Sequence, residues 1–176
     1  MDFFAIQVWT GKENEYAKLC GQSGLSLEII IPKKVLNIRR KAVVKKEEKP
    51  IFPGYVFIAS DRPELELGQR TIIKQTKNFL RILPKTSNPS PIRDADRKLL
   101  SHIISFGKLA DISKVYFDTN DRIVVMEGPM KGLEGCIVKV DKRKRRAKLR
   151  LDMCENMFLV DLGFDLIDKA EKGPSN

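Results

Sequence analysis

The chain has 176 residues, 42% of them hydrophobic, with a formal net charge of +10 and a pI of about 9.6. This length and apolar content are enough for one large or two small folded domains, which excludes a chain that is disordered throughout. The positive charge favours an anionic partner, and no apolar run reaches the roughly 18–20 residues that cross a bilayer. We therefore expect a soluble, cytoplasmic protein without a membrane partner.

Cysteine and histidine residues are too few and too scattered for a metal centre or a disulfide framework. Cys20, Cys136 and Cys154 are odd in number, form no Cys-x-x-Cys pair and are accompanied only by His102. Such spacing is typical of reduced thiols inside a cell, and no catalytic cluster accompanies them. The sequence therefore predicts no cofactor, no metal and no enzymatic activity.

Residues 1–107 alternate strand-like and helix-like segments. Apolar runs bounded by turn residues predict strands at residues 3–9, 27–31, 51–59 and 78–83. Apolar residues at helical spacing predict helices at residues 12–20, 64–75 and 90–106. The third helix is expected to begin with Ser90 as its N-cap and Pro91 as its first helical residue. This order fits a compact α+β sandwich with an antiparallel sheet.

A basic segment at Lys33–Lys49 interrupts this alternation. Its cations are mixed with apolar residues such as Val35, Leu36 and Val43. The pattern fits either a projecting hairpin or a mobile basic loop, and both remain open at this point. Contact with DNA or RNA and a solvated surface are weighed equally for this segment.

The rest of the chain changes to short strands. Residues 107–120 show little periodicity and predict a linker. Residues 122–126, 135–140, 147–153 and 157–162 alternate apolar and polar positions and predict successive strands. About 50 residues of short strands are typical of a small β-barrel.

A dense basic run occupies residues 142–150 within this second half. Seven of its nine residues are cations: Lys142, Arg143, Lys144, Arg145, Arg146, Lys148 and Arg150. Cations at this density repel one another unless a polyanion faces them. The acids of this half lie elsewhere in the sequence, at Asp118, Asp121, Asp161, Asp165 and Asp168. We therefore expect a local anion-attracting face, and its lack of aromatic residues suits a folded RNA better than stacked single-stranded bases.

Two motifs, taken in order, resemble one known family. Residues 51–58, IFPGYVFI, resemble the FPGYV signature of the NusG N-terminal domain, and residues 122–141 resemble the KOW motif that follows it in that family. The resemblance covers nearly the whole chain. It implies a ferredoxin-like or RNP-like N-terminal α/β sandwich at residues 1–107, a linker at 108–118, a small five-stranded KOW β-barrel at 119–172 and a tail at 173–176.

The resemblance to NusG also implies a monomeric transcription factor that binds RNA polymerase at the β′ clamp helices and the β gate loop. The residues that match the polymerase-binding segments of the family are Phe4, Trp9, Phe52, Tyr55, Phe79, Thr86, Ser87 and Asn88. Lys12 and Tyr16 lie where members of the family meet non-template DNA.

Two departures separate this chain from general NusG proteins. In those proteins the KOW barrel meets the termination factor Rho or a ribosomal protein through a GPF loop and a second loop resembling IFGR. Here Met130 follows Gly128 and Pro129, and residues 153–156 read MCEN, so both aromatic contacts are missing. The added basic run resembles the specialised LoaP-like antiterminators, which recognise a nascent RNA hairpin. The predicted RNA-binding residues are Lys131, Lys139 and the seven cations of the basic run.

The sequence therefore predicts an operon-specific antitermination and elongation factor that docks on RNA polymerase and binds a nascent leader RNA hairpin. The alternative is a general NusG factor that links polymerase to Rho or the ribosome, and the number of operons altered by gene deletion distinguishes the two. An RNA-binding ribosomal protein is a further alternative, although such a protein has no need of the FPGYV segment.

Overall fold

The computed structural model describes residues 1–40, 43–85, 89–107 and 109–167, except for the side chains of residues 37–40 and 43–44. In these residues twelve strands and three α-helices follow one another as β1 (Asp2–Val8), α1 (Glu13–Gln22), β2 (Glu28–Ile30), β3 (Lys33–Arg40), β4 (Val43–Pro50), β5 (Tyr55–Ser60), α2 (Leu67–Gln75), β6 (Phe79–Leu83), α3 (Asp94–Ser105), β7 (Leu109–Ala110), β8 (Ser113–Phe117), β9 (Ile123–Glu127), β10 (Ile137–Asp141), β11 (Arg146–Met153) and β12 (Asn156–Leu166).

The chain divides into two compact units. Unit 1 comprises Met1–Pro32, Pro50–Ser101 and Met153–Asn156. Unit 2 contains the described residues of Lys33–Lys49, His102–Asp152 and Met157–Asn176. The two units are defined by contacts in space, and each combines segments that are not contiguous in the sequence. The predicted domains at residues 1–107 and 119–172 are contiguous, so their boundaries stay a prediction.

Unit 1 is built on a four-stranded antiparallel sheet with the order β2-β5-β1-β6. Alternate residues of β1, namely Phe4, Ile6 and Val8, join Tyr16 of α1 and Ile73 of α2 in one apolar core. All five are at most 1% exposed, and each such side chain contributes about 1.5–3 kcal/mol when it leaves water. The strands and helices predicted from the apolar periodicity of residues 3–31 are therefore confirmed.

The FPGY segment departs from its predicted strand. The strand begins at Tyr55 and not at residue 51, and Ile51–Gly54 instead form a bend and a turn. Pro53 has no amide hydrogen for a ladder, and Gly54 adopts a φ of +82°. A Cβ on Gly54 would lie 3.0 Å from Thr10 Oγ1, so close packing also favours glycine there.

The third helix also begins later than predicted. It starts at Asp94, so Ser90 is not its N-cap and Pro91 is not its first residue. The Ile92 amide donates a hydrogen bond to the Phe3 carbonyl oxygen at 2.8 Å, which joins this segment to the N-terminal end of β1 and not to a helix. Asp94 and Asp96 do lie in the first helical turn, where they complement the helix dipole.

Unit 2 contains a five-stranded sheet with the order β10-β11-β12-β8-β9 and a three-stranded sheet with the order β4-β3-β7. The predicted linker is wrong in its secondary structure, because β7 and β8 fall within residues 108–118. Strand β8 pairs with β9 in antiparallel register and with β12 in parallel register, and Val115 within it is fully buried. Pairing on both sides supplies the stability that its weak sequence pattern did not indicate.

The predicted α+β class is confirmed. The sheet order leaves β10 and β9 as the two edges of the five-stranded sheet, so closure into a KOW barrel stays a prediction. Among the described residues, no helix has the length and apolar content needed to cross a membrane.

Candidate functional site

Strand β11 displays the second half of the basic run. Ala147, Leu149 and Leu151 alternate along it and are at most 2% exposed. Lys148 is half-buried and Arg150 exposed, so both point away from these core residues, as the alternation of a strand requires. The apolar side chains fix the strand, and the cations between them are held at defined positions on its outer face.

The first half of the basic run forms the turn between β10 and β11. The Lys144 amide donates a hydrogen bond to Asp141 Oδ1 at 2.9 Å, and the Arg145 amide donates to the Lys142 carbonyl oxygen at 3.2 Å. The hydrogen bond from the Lys144 amide lowers the pKa of Asp141 below its ordinary value. Arg145 takes a φ of +50°, the left-handed conformation that closes this turn.

The acids of unit 2 do not lie apart from the basic run, and this corrects the expectation of a purely cationic face. Lys148 is 3.3 Å from Asp161, and Arg145 is 3.2 Å from Asp165, both on β12. Lys142 pairs with Asp121. Two local pairs add to these: Lys144 with Asp141 at 3.8 Å and Arg150 with Asp152 at 4.0 Å.

These ion pairs are exposed and exchangeable. Their side chains retain between 36% and 72% of their accessible surface. Exposed pairs contribute about 0–1 kcal/mol each, because water and salt screen them. A ligand that offers several phosphates can therefore replace the carboxylates without unfolding the sheet.

Three further predicted RNA-binding residues are not paired with a carboxylate of a described residue. Lys131, Lys139 and Arg143 are exposed, and none forms an ion pair with another described residue. Lys139 lies opposite Lys148 in the register of β10 and β11. The structure thus brings Lys139 together with the basic run, and it places Lys131 in the turn that follows Gly128.

The basic segment Lys33–Lys49 forms strands β3 and β4, which favours the hairpin over the mobile loop. It belongs to unit 2, and β3 pairs in parallel with β7 through Lys33 and Lys34. Lys45 and Lys46 on β4 are exposed, whereas Lys34 is only 8% exposed. Burial lowers the pKa of Lys34 to about 8, and Asp161 opposes this shift.

Several residues predicted to bind polymerase are buried in unit 1. Phe4 is fully buried in the core, and Phe52 is 1% exposed with its ring edge-on to Phe57 at 5.9 Å. These two side chains therefore support the surface residues by packing below them and are not themselves exposed. This corrects their predicted role as direct polymerase contacts. Tyr55 is 4% exposed, and burial raises the pKa of its hydroxyl.

Trp9 is the clear surface residue of the predicted docking set. Its side chain is 62% exposed, and its amide donates a hydrogen bond to the Asn78 carbonyl oxygen at 3.0 Å. Phe79 is partly buried against the core, and Leu80 beside it is 41% exposed. Thr86, Ser87 and Asn88 lie outside the described residues.

The predicted DNA contact at Tyr16 is wrong. Tyr16 is fully buried, and its hydroxyl donates a hydrogen bond to the Ile73 carbonyl oxygen at 2.8 Å. Burial raises the pKa of this hydroxyl. Lys12 is exposed and forms an ion pair with Glu15 at 2.8 Å, which raises the pKa of Lys12.

Sequence reasoning missed Glu13, which supports the FPGY turn. Glu13 is 2% exposed, and its Oε1 accepts hydrogen bonds from the Gly54 amide at 2.6 Å and the Gly11 amide at 3.1 Å. The carboxylate thereby fastens the turn before β5 to the turn before α1. The only sequence signal is an acid in the first turn of a helix, which by itself indicates no such role.

At the two positions where the aromatic contacts of the resembled family would lie, this chain has Met130 and Cys154. Met130 is fully buried, and Cys154 is partly buried. The Met130 amide donates a hydrogen bond to Ser113 Oγ at 3.1 Å, and a Cβ added at Gly128 would lie 2.6 Å from Ser113 Cα. This loop is therefore packed inward in unit 2, and Met130 is not available as a surface anchor.

Comparison with known proteins finds relatives over almost the whole length of this chain. A family model described as "Transcription termination factor nusG" matches residues 1–101. The transcription termination/antitermination protein NusG of Helicobacter pylori strain J99 is 25% identical over 179 aligned residues, covering 96% of this chain and 98% of that protein. The protein of the same name from Streptococcus pyogenes serotype M3 is 24% identical, covering 91% and 92%.

A solved structure described as "Domain interaction in Thermotoga maritima NusG" has a similar fold. Its TM-score is 0.53 at 15% sequence identity, and the match covers 92% of this chain and 93% of that one. At this identity the likeness bears on the fold alone.

Proposed function

The chain belongs to the NusG family of transcription termination and antitermination factors, which are not enzymes, and on that premise we propose that it is an operon-specific antiterminator. Unit 1 docks on the β′ clamp helices and the β gate loop of RNA polymerase. Unit 2 binds a hairpin in the nascent leader RNA. The two contacts together recruit the factor to polymerases that have transcribed its target leader.

The observation that carries this proposal is the outer face of β10 and β11 with the turn between them. Lys139, Lys148 and Arg150 stand on neighbouring strands, and Lys142–Arg145 project from the turn. Double-stranded RNA is recognised mainly through its phosphates and 2′-hydroxyls, which a rigid cationic face can follow. Stacking of unpaired bases is a poorer fit, because the Phe117 ring beside the turn is already covered by the Lys142 ammonium, 4.2 Å from its centroid.

The proposed mechanism is tethering. An RNA hairpin bound to unit 2 keeps the factor near the polymerase that made it, which raises the effective concentration of unit 1 at its docking site. Unit 1 then stays bound during elongation and opposes pausing and termination. In this proposal Trp9 and Leu80 supply exposed apolar contacts, while Glu13 holds the FPGY turn in shape.

A general NusG factor is the second candidate, since relatives named as termination/antitermination proteins match over almost the full chain. Met130 and Cys154 favour the specialised role, because Met130 is fully buried and neither residue offers an aromatic anchor to Rho or a ribosomal protein. Deleting the gene separates the two candidates. Altered transcription at a few operons supports the specialised factor, and altered transcription at many supports the general one.

The RNA half of the proposal is tested by replacing Lys144, Arg145 and Arg146 with Ala. We expect binding to a paired RNA hairpin with a UUCG tetraloop to weaken by about tenfold or more at low salt, because each lost phosphate contact removes released counterions. The plot of log K against log salt should also become flatter, by up to about three in slope. Fluorescence anisotropy over a salt series measures both quantities.

A matched control replaces three exposed lysines of unit 1, Lys18, Lys74 and Lys98, with Ala. This variant has the same loss of net charge, and we expect it to keep nearly the wild-type affinity and salt slope. Equal effects of the two triple variants would reduce the RNA interaction to general electrostatic attraction and contradict the assigned surface.

The polymerase half is tested with Trp9→Ala. Because Trp9 is exposed, we expect co-purification with RNA polymerase to be lost while hairpin binding by unit 2 is unchanged. Lys74→Ala, on an exposed position of α2, serves as the control. Wild-type association of the Trp9 variant would remove Trp9 from the docking surface.

A further inference from the structure

Two basic segments that are far apart in the sequence meet within unit 2. Strand β3 pairs with β7, and its Val35 carbonyl oxygen passes so near β12 that a Cβ added at Gly163 would lie 3.7 Å from it. Gly163 shares the non-core side of β12 with Asp161, because Val160, Leu162 and Phe164 between and around them are buried. The β3–β4 hairpin therefore covers part of the same face on which β11 displays its cations.

Lys34 lies at this meeting point. It is only 8% exposed, and its ammonium forms neither a hydrogen bond nor an ion pair with any described residue. The charged groups that act on its ammonium are Asp161 of β12, Lys148 and Arg146 of β11, and Lys49 of β4. A buried ammonium without an ion pair is unfavourable, and three of the four charges that act on it are cations, so its position favours a further anion nearby.

An open cleft is lined by Asp161, Lys148 and Arg146, three of the charged groups that act on Lys34. Its volume is about 200 Å³, and it is lined by Lys139, Asp141, Lys144, Arg146, Lys148 and Asp161. One water takes roughly 30 Å³, so the cleft has room for a phosphate group with several waters. Four of the six lining residues are cations from three neighbouring segments of the chain.

The two carboxylates of the cleft have different roles. Asp141 accepts a hydrogen bond from the Lys144 amide and thereby stabilises the turn, so its role is structural. Among the described residues, Asp161 makes one ion pair, with Lys148 at 3.3 Å, and its carboxylate accepts no hydrogen bond from the backbone. Asp161 is thus free to exchange Lys148 for another partner without loss of any turn or strand contact.

We propose that this cleft is a binding site for one backbone phosphate of RNA, shared by the β3–β4 hairpin and the five-stranded sheet, and that Asp161 takes the place of the phosphate in the free protein. This inference rests on the proposed function, for which it names a specific phosphate site. When the phosphate enters, Lys148 leaves its ion pair with Asp161 and pairs with the phosphate. Arg146 and Lys34 are then further cations near the phosphate. The RNA backbone then continues from the sheet onto Lys45 and Lys46 of the hairpin.

Asp161 makes the site selective. Its negative charge opposes any isolated anion, so a ligand binds well only when other phosphates engage the turn and the hairpin at the same time. A rigid paired RNA presents its phosphates in fixed positions and meets this condition at once. A flexible single strand of equal charge must lose conformational entropy to do so, and it binds more weakly.

The first test is Asp161→Asn, which removes the charge and keeps the shape. We expect affinity to rise for both a UUCG-capped RNA hairpin and an oligo(U) with the same number of phosphates, and to rise more for oligo(U). The discrimination between the two probes should fall by several fold, measured by fluorescence anisotropy at one salt concentration. Unchanged or weaker binding by this variant would contradict the proposal.

Asp152→Asn is the matched control. Asp152 pairs with Arg150 on β11 but does not line the cleft. It removes the same charge from the same strand pair, and we expect it to leave the discrimination between the hairpin and oligo(U) unchanged. An equal loss of discrimination in both variants would show an effect of net charge only and would overturn the site.

The second test is Lys34→Met, alone and together with Asp161→Asn. Lys34→Met should weaken hairpin binding several fold, and its effect should be larger in the Asp161→Asn background, where the phosphate is no longer opposed. Additive effects would mean that the two residues do not share a site. Wild-type binding by Lys34→Met would remove the hairpin from the proposed surface.

A third measurement separates this inference from the proposed function. Tripolyphosphate should raise the melting temperature of the wild-type protein, more strongly that of Asp161→Asn and less that of Lys34→Met. This order would support the anion site even if the wild-type chain bound no RNA hairpin, in which case the proposed function alone would fail. Equal shifts in all three proteins would overturn the phosphate site whatever the RNA result.

Discussion

Unit 1 and unit 2 differ in whether the residues of their predicted binding sites are buried or exposed. In unit 1 the large aromatic side chains of Phe4, Phe52 and Tyr55 are at most 4% exposed. In unit 2 the cations of the basic run stay at the surface, and carboxylates of the same unit surround them. An aromatic ring gains free energy by leaving water, whereas an ammonium or guanidinium loses hydration unless a partner replaces the water.

This difference teaches how each unit can present a binding surface. The surface of unit 1 rests on a buried framework, in which Glu13 accepts a hydrogen bond from the Gly54 amide of the FPGY turn and Phe52 is buried, while Trp9 stays exposed. The surface of unit 2 depends on the cations themselves. We therefore expect substitutions in unit 1 to act largely through stability and substitutions in unit 2 to act largely through binding.

The largest expected effect comes from Phe52→Ala, which tests whether the aromatic framework is structural. Removing this buried ring should lower the free energy of unfolding of unit 1 by about 3–5 kcal/mol, through lost burial and a cavity next to Phe57. Urea denaturation followed by the helical circular-dichroism signal measures this loss. Trp9→Ala is the exposed control and should change the same quantity by about 0.5 kcal/mol or less.

The opposite result would break the comparison. If Phe52→Ala unfolded like the wild type and lost only its association with polymerase, Phe52 would be a contact residue in solution, and the aromatic residues of unit 1 would resemble the cations of unit 2.

The next effect concerns Lys34, the residue of unit 2 that does not follow the surface rule. Burial lowers its pKa from 10.5 to about 8. Between these two values the unfolded state binds more protons than the folded state, so stability should rise as the pH rises through this window. Below pH 8 the lysine is charged in both states, and the cost of its burial is fully present.

Lys34→Met should remove this cost. A shift of that size corresponds to about 3 kcal/mol, by which the variant should be more stable near neutral pH, and the pH dependence between 8 and 10.5 should become flatter. Thermal melts across this range provide the measurement, with the exposed Lys45→Met as control. A variant less stable than the wild type at neutral pH would mean that Lys34 is held by a favourable partner.

The smallest effect is expected from Asp165→Asn, which breaks the exposed ion pair with Arg145. Stability should fall by about 1 kcal/mol at most, because both side chains remain more than half exposed. Glu134→Gln, at an exposed acid that forms no ion pair with a described residue, controls for the change of charge. A loss of several kcal/mol would show that the carboxylates of unit 2 hold its fold together.

Several elements were predictable because their signal is local. The apolar runs of β1, β5 and β11 identified these strands, and the helical spacing of Leu99, Leu100 and Ile103 identified α3. The start of α3 and the extent of β5 were missed, because a hydrogen bond from Ile92 to Phe3 and the packing of Gly54 against Thr10 decided them. Both contacts join residues that are distant in the sequence.

The candidate sites divide along the same line. Charge density predicted that the cations at residues 142–150 lie on the surface, and in the structure five of the seven are exposed, while Arg146 and Lys148 are half-buried. The docking prediction named whole aromatic segments, in which only tertiary packing separates exposed Trp9 from buried Phe4. Tyr16 was predicted as a surface contact and is buried, because a sequence pattern does not show which side of a helix packs against a sheet.

By itself the sequence determined that the chain is folded, basic and built from strands and helices in a recognisable order. These properties follow from composition and from periodicities of two and 3.6 residues, which every short segment carries within itself. Only the tertiary structure decided that Asp121, Asp161 and Asp165 pair with the basic run, and that Lys34 is buried beside it. Charges act through distances in space, and the fold sets those distances between residues that lie many positions apart in the chain.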